Sequence, residues 1–290
     1  MAVRSFSRVI RGIPTLEGGG FLVHRPFPTG SLSDFDPFLL FDEMGPMDVR
    51  PGEAKGAPDH PHRGFETVTY MLSGSFRHKD SSGHEGKLET GDVQWMTAGS
   101  GVIHSEEPSR EFQQTGGRLH GVQLWVNLPK RDKMIPPHYQ EIPGANIPSA
   151  KTQDGKVSVN VLAGESLGVR AVIETRTPIF YLDFVLKPGS KVVQPVERDF
   201  NAFAYVIEGD VRFGGRSVPR GNMVAFDKDG DTIEIEALSD NVTPARVLLI
   251  GGQPLNEPIA RYGPFVMNTA QEIQQAFDDY RSGRMGSIKF

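Results

Sequence analysis

The 290-residue sequence contains no cysteine. A disulfide framework, a thiolate zinc site and an iron–sulfur cluster are therefore excluded, because each of them requires cysteine sulfur. Long hydrophobic runs are missing too, since no stretch approaches the roughly 18 apolar residues of a membrane span. The first residues lack the apolar core of a secretory signal peptide. We therefore expect a cytoplasmic protein without membrane attachment, present in the nucleus as well if the source is eukaryotic.

Basic residues are in the minority. The chain has 31 Lys and Arg against 36 Asp and Glu, which gives a formal net charge of −5. Proteins that bind nucleic acid through its phosphates usually carry the opposite balance. The composition therefore predicts no direct nucleic-acid partner, although binding to a protein that itself contacts DNA stays open.

Short alternating runs of apolar residues, separated by turn residues, dominate the chain. The 33 glycines and 22 prolines are scattered rather than clustered. Four such runs are Glu66–Met71, Val122–Val126, Phe180–Val185 and Ala204–Ile207. Many short strands bounded by turn residues are typical of an all-β sandwich or barrel.

One helix is predicted near the end of the chain. Thr269 and Glu272 have the spacing of a capping box, and apolar residues follow at helical intervals up to Tyr280. Gly283 is a suitable helix stop. We expect a short amphipathic C-terminal helix packed on a sheet.

Prolines crowd the stretch from about 129 to 150, which predicts a linker between two halves. The β pattern resumes after it, so we place the domains at 1–135 and 136–290. All the histidines lie in the first half or at its edge, at positions 24, 60, 62, 78, 84, 104, 120 and 138. If the halves are related folds, only the first contains a histidine-based site.

Two pairs of ligand-type residues stand out. His60 and His62 are separated by one residue, as are His104 and Glu106. On a strand, residues i and i+2 point to the same face, so two neighbouring strands would aim three imidazoles and one carboxylate at one point. This nitrogen and oxygen set suits divalent Fe, Mn, Co, Ni, Cu or Zn.

Other candidates are weaker. His78 and His84 lie in a polar hairpin-like stretch, and we expect both to be exposed to solvent. His120 shares an apolar face, so we expect a hydrogen-bonded ring rather than a ligand. Arg63 is suited to an anionic substrate or to a structural salt bridge, and the charged run from Lys130 to Lys133 is interpreted as a solvated linker.

The segments HPHRGFETVTYMLSG and GDVQWMTAGSGVIHSE resemble the two motifs of cupins. Together with HGVQLWVNLP, TRTPIFYLDF and GPFVMNT, they closely resemble the pirin family from roughly Asp36 to Tyr280. The resemblance implies a bicupin, which consists of two tandem cupin β-barrels. The N-terminal domain (1–135) would bind the metal, and the C-terminal domain (136–290) would lack ligands.

By the same resemblance, one mononuclear Fe(II) ion is held by His60, His62, His104 and Glu106. Ordinary cupins would instead offer Glu66 as the carboxylate ligand. The pirin pattern takes it from Glu106, and the i, i+2 spacing from His104 favours the same choice. We expect Glu66 to be a nearby hydrogen-bond partner.

Two functions follow from the resemblance. The first is an iron-dependent dioxygenase of the quercetin 2,3-dioxygenase type, whose partners are a flavonol-like small molecule and dioxygen. In this hypothesis Glu106 is the catalytic base that removes the flavonol proton. The second is an iron-containing, redox-sensing regulator that binds transcription factors or metabolic enzymes. A purely structural metal is disfavoured, because structural sites usually have a closed protein shell.

Overall fold

The computed structural model describes residues 2–289, which form 26 strands and two α-helices. The first twelve strands are β1 (Phe6–Arg11), β2 (Ile13–Glu17), β3 (Phe21–Phe27), β4 (Phe38–Val49), β5 (Ala57–His62), β6 (Phe65–Ser73), β7 (Phe76–Asp80), β8 (Glu85–Leu88), β9 (Val93–Thr97), β10 (Val102–Pro108), β11 (Gly117–Asn127) and β12 (His138–Ile142). All four runs predicted as strands lie within strands.

The remaining fourteen strands begin at the end of the proline-rich stretch. They are β13 (Ser149–Lys151), β14 (Val157–Ala163), β15 (Glu165–Ser166), β16 (Val169–Arg170), β17 (Ile179–Leu186), β18 (Lys191–Pro195), β19 (Asn201–Glu208), β20 (Val211–Phe213), β21 (Arg216–Val218), β22 (Asn222–Phe226), β23 (Thr232–Ala237), β24 (Ala245–Gly252), β25 (Ala260–Tyr262) and β26 (Phe265–Met267). The helices are α1 (Arg110–Thr115) and α2 (Ala270–Arg281), and short 3-10 turns cover Lys130–Asp132 and Gly144–Asn146.

The chain forms two compact units, and each of them includes a segment from the opposite end of the chain. The N-terminal unit comprises Ile13–Asn146 with the chain from Leu255 onward, and the C-terminal unit comprises Ile147–Pro254 with the chain up to Gly12. Strand β1 accordingly pairs with β22 of the C-terminal unit. The boundary between residues 135 and 136, as a division of the sequence into domains, stays a prediction.

The N-terminal unit contains a seven-stranded sheet in the order β12-β9-β6-β11-β4-β3-β2 and a four-stranded sheet in the order β5-β10-β7-β8. Strand pairs in both sheets are antiparallel. Buried apolar side chains pack inside the unit, among them Leu39, Phe65 and Val266. The interior strand β6 is buried along nearly its whole length, which agrees with its mostly apolar, aromatic and β-branched residues.

The C-terminal unit has a matching pair of sheets. Its seven-stranded sheet has the order β1-β22-β19-β24-β17-β14-β13, and its four-stranded sheet has the order β18-β23-β20-β21. Alternating residues such as Val159, Leu182 and Val247 form its core. The same counts of strands in both units support the interpretation of two related folds.

Helix α2 has the predicted capping box. The Thr269 hydroxyl accepts a hydrogen bond from the Glu272 backbone N–H, and the Glu272 carboxylate accepts from the Thr269 backbone. The helix ends at Arg281, and Gly283 has a φ of 77°, which a glycine adopts without strain. Helix α1 was not predicted, because its six residues are too short to show helical periodicity. Within residues 2–289, neither helix is long and apolar enough to cross a membrane.

Candidate metal centre

Three histidines converge on two paired strands of the N-terminal unit. His60 and His62 lie on β5, and His104 lies on β10 directly opposite His60. The ring centroids are 4.7 Å apart for His60 and His62, 4.4 Å for His60 and His104, and 4.9 Å for His62 and His104. One ring nitrogen from each residue lies within 4.8 Å of the other two. The spacing predicted from the sequence therefore places the three imidazoles together.

The rings present acceptor nitrogens to one another. His60 Nδ1 lies 2.7 Å from the Pro58 carbonyl oxygen, so it carries the proton and donates it there. His60 Nε2 is then an acceptor, and it lies 3.1 Å from His62 Nε2. Both ring nitrogens of His104 are buried without a hydrogen-bond partner. Buried polar atoms are normally satisfied, so these orphaned nitrogens point to a group that fits among the three rings.

Burial keeps the inner two histidines uncharged. Desolvation, helped by the nearby His60, lowers the pKa of His62 well below its usual value. Desolvation and the neighbouring histidines His60, His62 and His78 do the same to the pKa of His104. Neutral imidazoles are the form in which histidine binds metals. The cluster is therefore suited to bind a divalent cation through neutral imidazoles.

Glu106 lines the same cavity as His60 and His62. Its Oε1 accepts a hydrogen bond from the Thr69 hydroxyl at 3.0 Å, and its Oε2 accepts from the Gln123 amide at 3.2 Å. Its carboxylate is not part of the group of atoms within 4.8 Å that the three histidines form. The structure thus brings the three histidines together and holds the Glu106 carboxylate beside them through two hydrogen bonds.

The cavity next to the histidines has a volume of about 500 Å³. Trp125 packs edge-on against His62 at 5.2 Å, and the Arg261 guanidinium lies 5.0 Å from the centre of the Trp125 ring. Apolar side chains make up much of the remaining lining, namely Phe21, Leu40, Met44 and Phe76. Such a mostly apolar cavity with a few convergent polar groups is typical of small-molecule sites.

A charged pair forms part of the same wall. Arg25 donates two hydrogen bonds to the Asp42 carboxylate, at 2.7 and 2.5 Å, and a third to Glu17 at 2.6 Å. Burial opposes the charge on Arg25, but the hydrogen bonds and charges of Asp42 and Glu17 raise the pKa of Arg25 above its ordinary value. Burial raises the pKa of Asp42 to about 6, which is below neutral pH, so the pair is ionic at neutral pH. Its fork-to-fork geometry fixes both side chains.

Glu66, the ligand that an ordinary cupin motif would use, is buried and lies away from the cavity lining. It accepts a 2.6 Å hydrogen bond from the Thr97 hydroxyl, which agrees with the hydrogen-bonding role expected for it. His120, also expected to be hydrogen-bonded, lies 2.9 Å from a Glu43 carboxylate oxygen.

Arg63 was expected either to bind an anionic substrate or to form a structural salt bridge, and it has the structural role. It is buried, donates from Nε to the Ser100 carbonyl oxygen at 2.7 Å, and pairs with Asp279 of α2 at 2.7 Å. It is absent from the cavity lining, so it does not face a substrate there. Arg63 instead fastens the segment after His62 to the C-terminal helix.

The expectation that His78 and His84 are both exposed was wrong for His78 and holds only in part for His84. His78 is only 1% exposed, and His84 is half-buried. Strand β7 lies inside its sheet, between β10 and β8, so its alternate side chains point into the unit. Polar residues in a short strand gave no sign of this, because the burial depends on strand pairing that is distant in sequence.

The interpretation of the charged run as a solvated linker was wrong for Lys133, which is 1% exposed. Its ammonium donates to the Gly64 carbonyl at 2.7 Å, to the Asn127 side chain at 2.6 Å and to the Val266 carbonyl at 3.0 Å. Burial lowers the pKa of Lys133 to about 8, so it stays protonated at neutral pH. The sequence did not predict this, since a lysine at the end of a charged run carries no signal of burial.

Comparison with known families shows to which protein family the chain belongs. Residues 20–126 match the family model described as Pirin, and residues 181–286 match the one described as Pirin C-terminal cupin domain. The chain belongs to the pirin family. Its fold is therefore that of two cupin domains, as the sequence predicted, with a short C-terminal helix.

Two pirin relatives cover most of the chain. A pirin-like protein of Solanum lycopersicum is 48% identical over 273 residues, covering 93% of this chain and 89% of the relative. The pirin of Homo sapiens is 46% identical over 276 residues, with coverage of 93% and 90%. Among solved structures, a quercetin 2,3-dioxygenase from Acinetobacter baumannii superposes with a TM-score of 0.92, at 38% identity, covering 99% of this chain and 100% of that one.

Proposed function

We propose that this pirin is an iron-dependent dioxygenase that opens the ring of flavonol-like substrates, with a flavonol and dioxygen as its small-molecule partners. The observation that carries the proposal is the His104 ring, which is buried, neutral and unpartnered at both nitrogens while facing His60 and His62. The likeness to the structure named as a quercetin 2,3-dioxygenase supports the substrate class.

His60, His62, His104 and Glu106 would hold the iron. This set contains three neutral imidazoles and one carboxylate, which suits Fe(II) among the divalent first-row metals. With a doubly charged cation the site would carry a net charge of +1, which complements an anionic oxygen ligand. The iron would supply a Lewis acid that lowers the pKa of a substrate hydroxyl and a redox-active centre for dioxygen.

Glu106 is the candidate base for the substrate proton. Its carboxylate lies in the cavity, and hydrogen bonds from Thr69 and Gln123 fix its orientation. A carboxylate fixed in this way would meet the geometric requirement for general base catalysis with a substrate hydroxyl bound within hydrogen-bond reach of it. Thr69 and Gln123 then act as positioning residues, because they touch Glu106 and hold its oxygens in place.

The apolar wall would bind the flat rings of the substrate. Trp125 lies against His62, so a planar ring in the cavity would reach the wall and the histidines together. The Arg261 guanidinium on Trp125 adds positive charge to the same wall, which suits an electron-rich or anionic aromatic compound.

The experiment is an anaerobic Fe(II) loading, followed by a flavonol and dioxygen. Loss of the flavonol absorbance together with release of carbon monoxide supports the proposal, and both must disappear in His62→Ala and Glu106→Gln. The matched control is His138→Ala, an exposed histidine on β12 outside the cavity. Iron bound in a way that depends on His60 and His104, without turnover, would refute the dioxygenase for this substrate class.

One observation favours a second candidate, a redox-sensing regulator that binds a transcription factor or a metabolic enzyme. The residue after His62 is Arg63, whose ion pair with Asp279 connects the metal-binding strand to α2. A change in the charge of the iron would act on this helix through the pair. Partner binding that differs between Fe(II)- and Fe(III)-loaded protein, and that loses the difference in Asp279→Asn, would support this candidate.

A further inference from the structure

A second group of ligand-type side chains lies in the N-terminal unit. His78 is on β7, His84 is in the turn before β8, and Glu141 is on β12. One ligand atom from each lies within 4.8 Å of the other two. None of the three lines the cavity beside His60, so the group is separate from the proposed iron centre.

The three side chains meet at one carboxylate oxygen. His78 Nε2 lies 2.8 Å and His84 Nε2 lies 3.3 Å from Glu141 Oε1. The Gln94 amide donates to the same oxygen at 2.8 Å. Ligand atoms around a tetrahedral ion with bonds of about 2.0–2.1 Å stand roughly 3.4 Å apart, so small adjustments bring the set to that spacing.

The charges at the group suit a cation. Burial favours the neutral form of Glu141, but hydrogen bonds from His78, Gln94 and His84 outweigh it and lower the pKa of Glu141 to about 2. The carboxylate is therefore an anion at neutral pH. Two imidazoles and one carboxylate form a donor set that zinc uses in catalytic sites, with a further position left for water.

The second group is more exposed to solvent than the proposed iron centre. His104 is fully buried, whereas the side chains of His84 and Glu141 are 38% and 31% exposed. The second group therefore lies nearer to the surface, while the His84 Nε2 atom itself is buried without a hydrogen-bond partner. The Tyr139 ring stacks on His84 with centroids 4.5 Å apart, which holds that imidazole in place at the surface.

We propose that His78, His84 and Glu141 form a second divalent-cation site, of the zinc type, with Gln94 orienting the carboxylate. The site connects two sheets: β7 belongs to the four-stranded sheet, and β12 is the edge strand of the seven-stranded sheet. An ion there ties this edge strand to the neighbouring layer. His78 also lies opposite Glu106 in the β7–β10 pair, so the two sites are one strand apart and share no ligand.

The test uses Co²⁺ as the probe and chelator-treated full-length protein. Calorimetric titration is expected to give two ions per chain for the wild type. His84→Ala with Glu141→Gln is expected to give one ion, and His60→Ala with His104→Ala is expected to remove the other one. Gln94→Met should weaken the second site about 10-fold, as the loss of a group that orients a ligand does.

His138→Ala is the matched control, because it removes an exposed histidine from the same strand β12 and should leave both ions bound. His84→Ala alone changes a side chain that is more than a third exposed, so it keeps the test valid if the double variant unfolds. A single ion in the wild type, lost with His60 and His104, overturns the proposal and leaves a purely hydrogen-bonded group. A second ion that persists without His84 and Glu141 overturns it too. Since the His60 and His104 variant is measured separately, failure of the second site is distinguishable from failure of the iron centre.

Discussion

His60 and His104 lie directly opposite each other on the paired strands β5 and β10, with their ring centroids 4.4 Å apart. Because His62 follows on the same face of β5, this single cross-strand pair brings all three imidazoles together. The proposed metal centre therefore depends on the register of two strands more than on any loop.

The carboxylate at the centre can be tested with a matched pair of variants. Glu106→Gln should weaken Fe(II) binding by at least about 10-fold, because a neutral amide replaces an anionic ligand candidate. Glu66→Gln should leave iron affinity unchanged and lower only the stability, since Glu66 bonds to Thr97 outside the cavity. Competition with a chelator under anaerobic conditions measures both affinities. The reverse pattern would assign the ligand to Glu66, as in an ordinary cupin motif.

Lys133 should stabilise the unit through its three acceptors. Lys133→Met keeps the length of the side chain but leaves two buried carbonyls and the Asn127 side chain without their donor. We expect a loss of roughly 3 kcal/mol in the free energy of unfolding, measured by urea denaturation. Arg131→Met is the control, because that side chain is 79% exposed and should change stability by about 0.5 kcal/mol or less. Equal effects of the two substitutions would contradict this role.

Asp279 should make the stability of the protein depend on pH in the acid range. Burial acts against its charge, but hydrogen bonds from Arg63, Gln275 and Arg284 lower its pKa from 3.8 to about 2. A lowered acid pKa adds stability above the unfolded value, and this contribution disappears as pH falls from about 4 to about 2. The stability difference between wild type and Asp279→Asn should therefore shrink over that window.

The control for this titration is Asp278→Asn, which changes the exposed neighbour on α2. Thermal melting between pH 7 and pH 2 gives both differences. A gap between wild type and Asp279→Asn that stays constant down to about pH 2 would show that the Asp279 charge does not stabilise the fold.

Trp125 should set substrate affinity without holding the metal. Trp125→Leu keeps an apolar wall but removes the aromatic face beside His62. We expect KM for a flavonol to rise about 2- to 10-fold, the range that an aromatic contact contributes, with iron content unchanged. Steady-state kinetics and metal analysis of the same sample check this. Loss of iron in the variant would mean that Trp125 supports the histidines instead.

The parts predicted from the sequence are those that depend on local patterns. The two i, i+2 pairs placed His60, His62 and His104 together because side-chain alternation along a strand needs no knowledge of the rest of the chain. The capping box of α2 is local in the same way. The resemblance to pirins contributed the fold and the ligand set.

The residues that were missed depend on contacts distant in sequence. His78 is buried because β7 is enclosed by β10 and β8, and the buried Lys133 donates to the carbonyls of Gly64 and Val266, which are far from it in sequence. Gly64 itself has a φ of 87°, and a Cβ there would stand 2.0 Å from the Val266 carbonyl oxygen. Such close backbone approaches are set by the packing of the whole unit and leave no periodic signal.

The most direct test of the dioxygenase is a single turnover of the Fe(II)-loaded protein with a flavonol and isotopically labelled dioxygen. Mass spectrometry then counts the labelled atoms in the ring-opened product. The account predicts that both oxygen atoms enter the products and that Glu106→Gln abolishes this transfer. Label found only in water or peroxide, with the flavonol intact or merely oxidised, would contradict it.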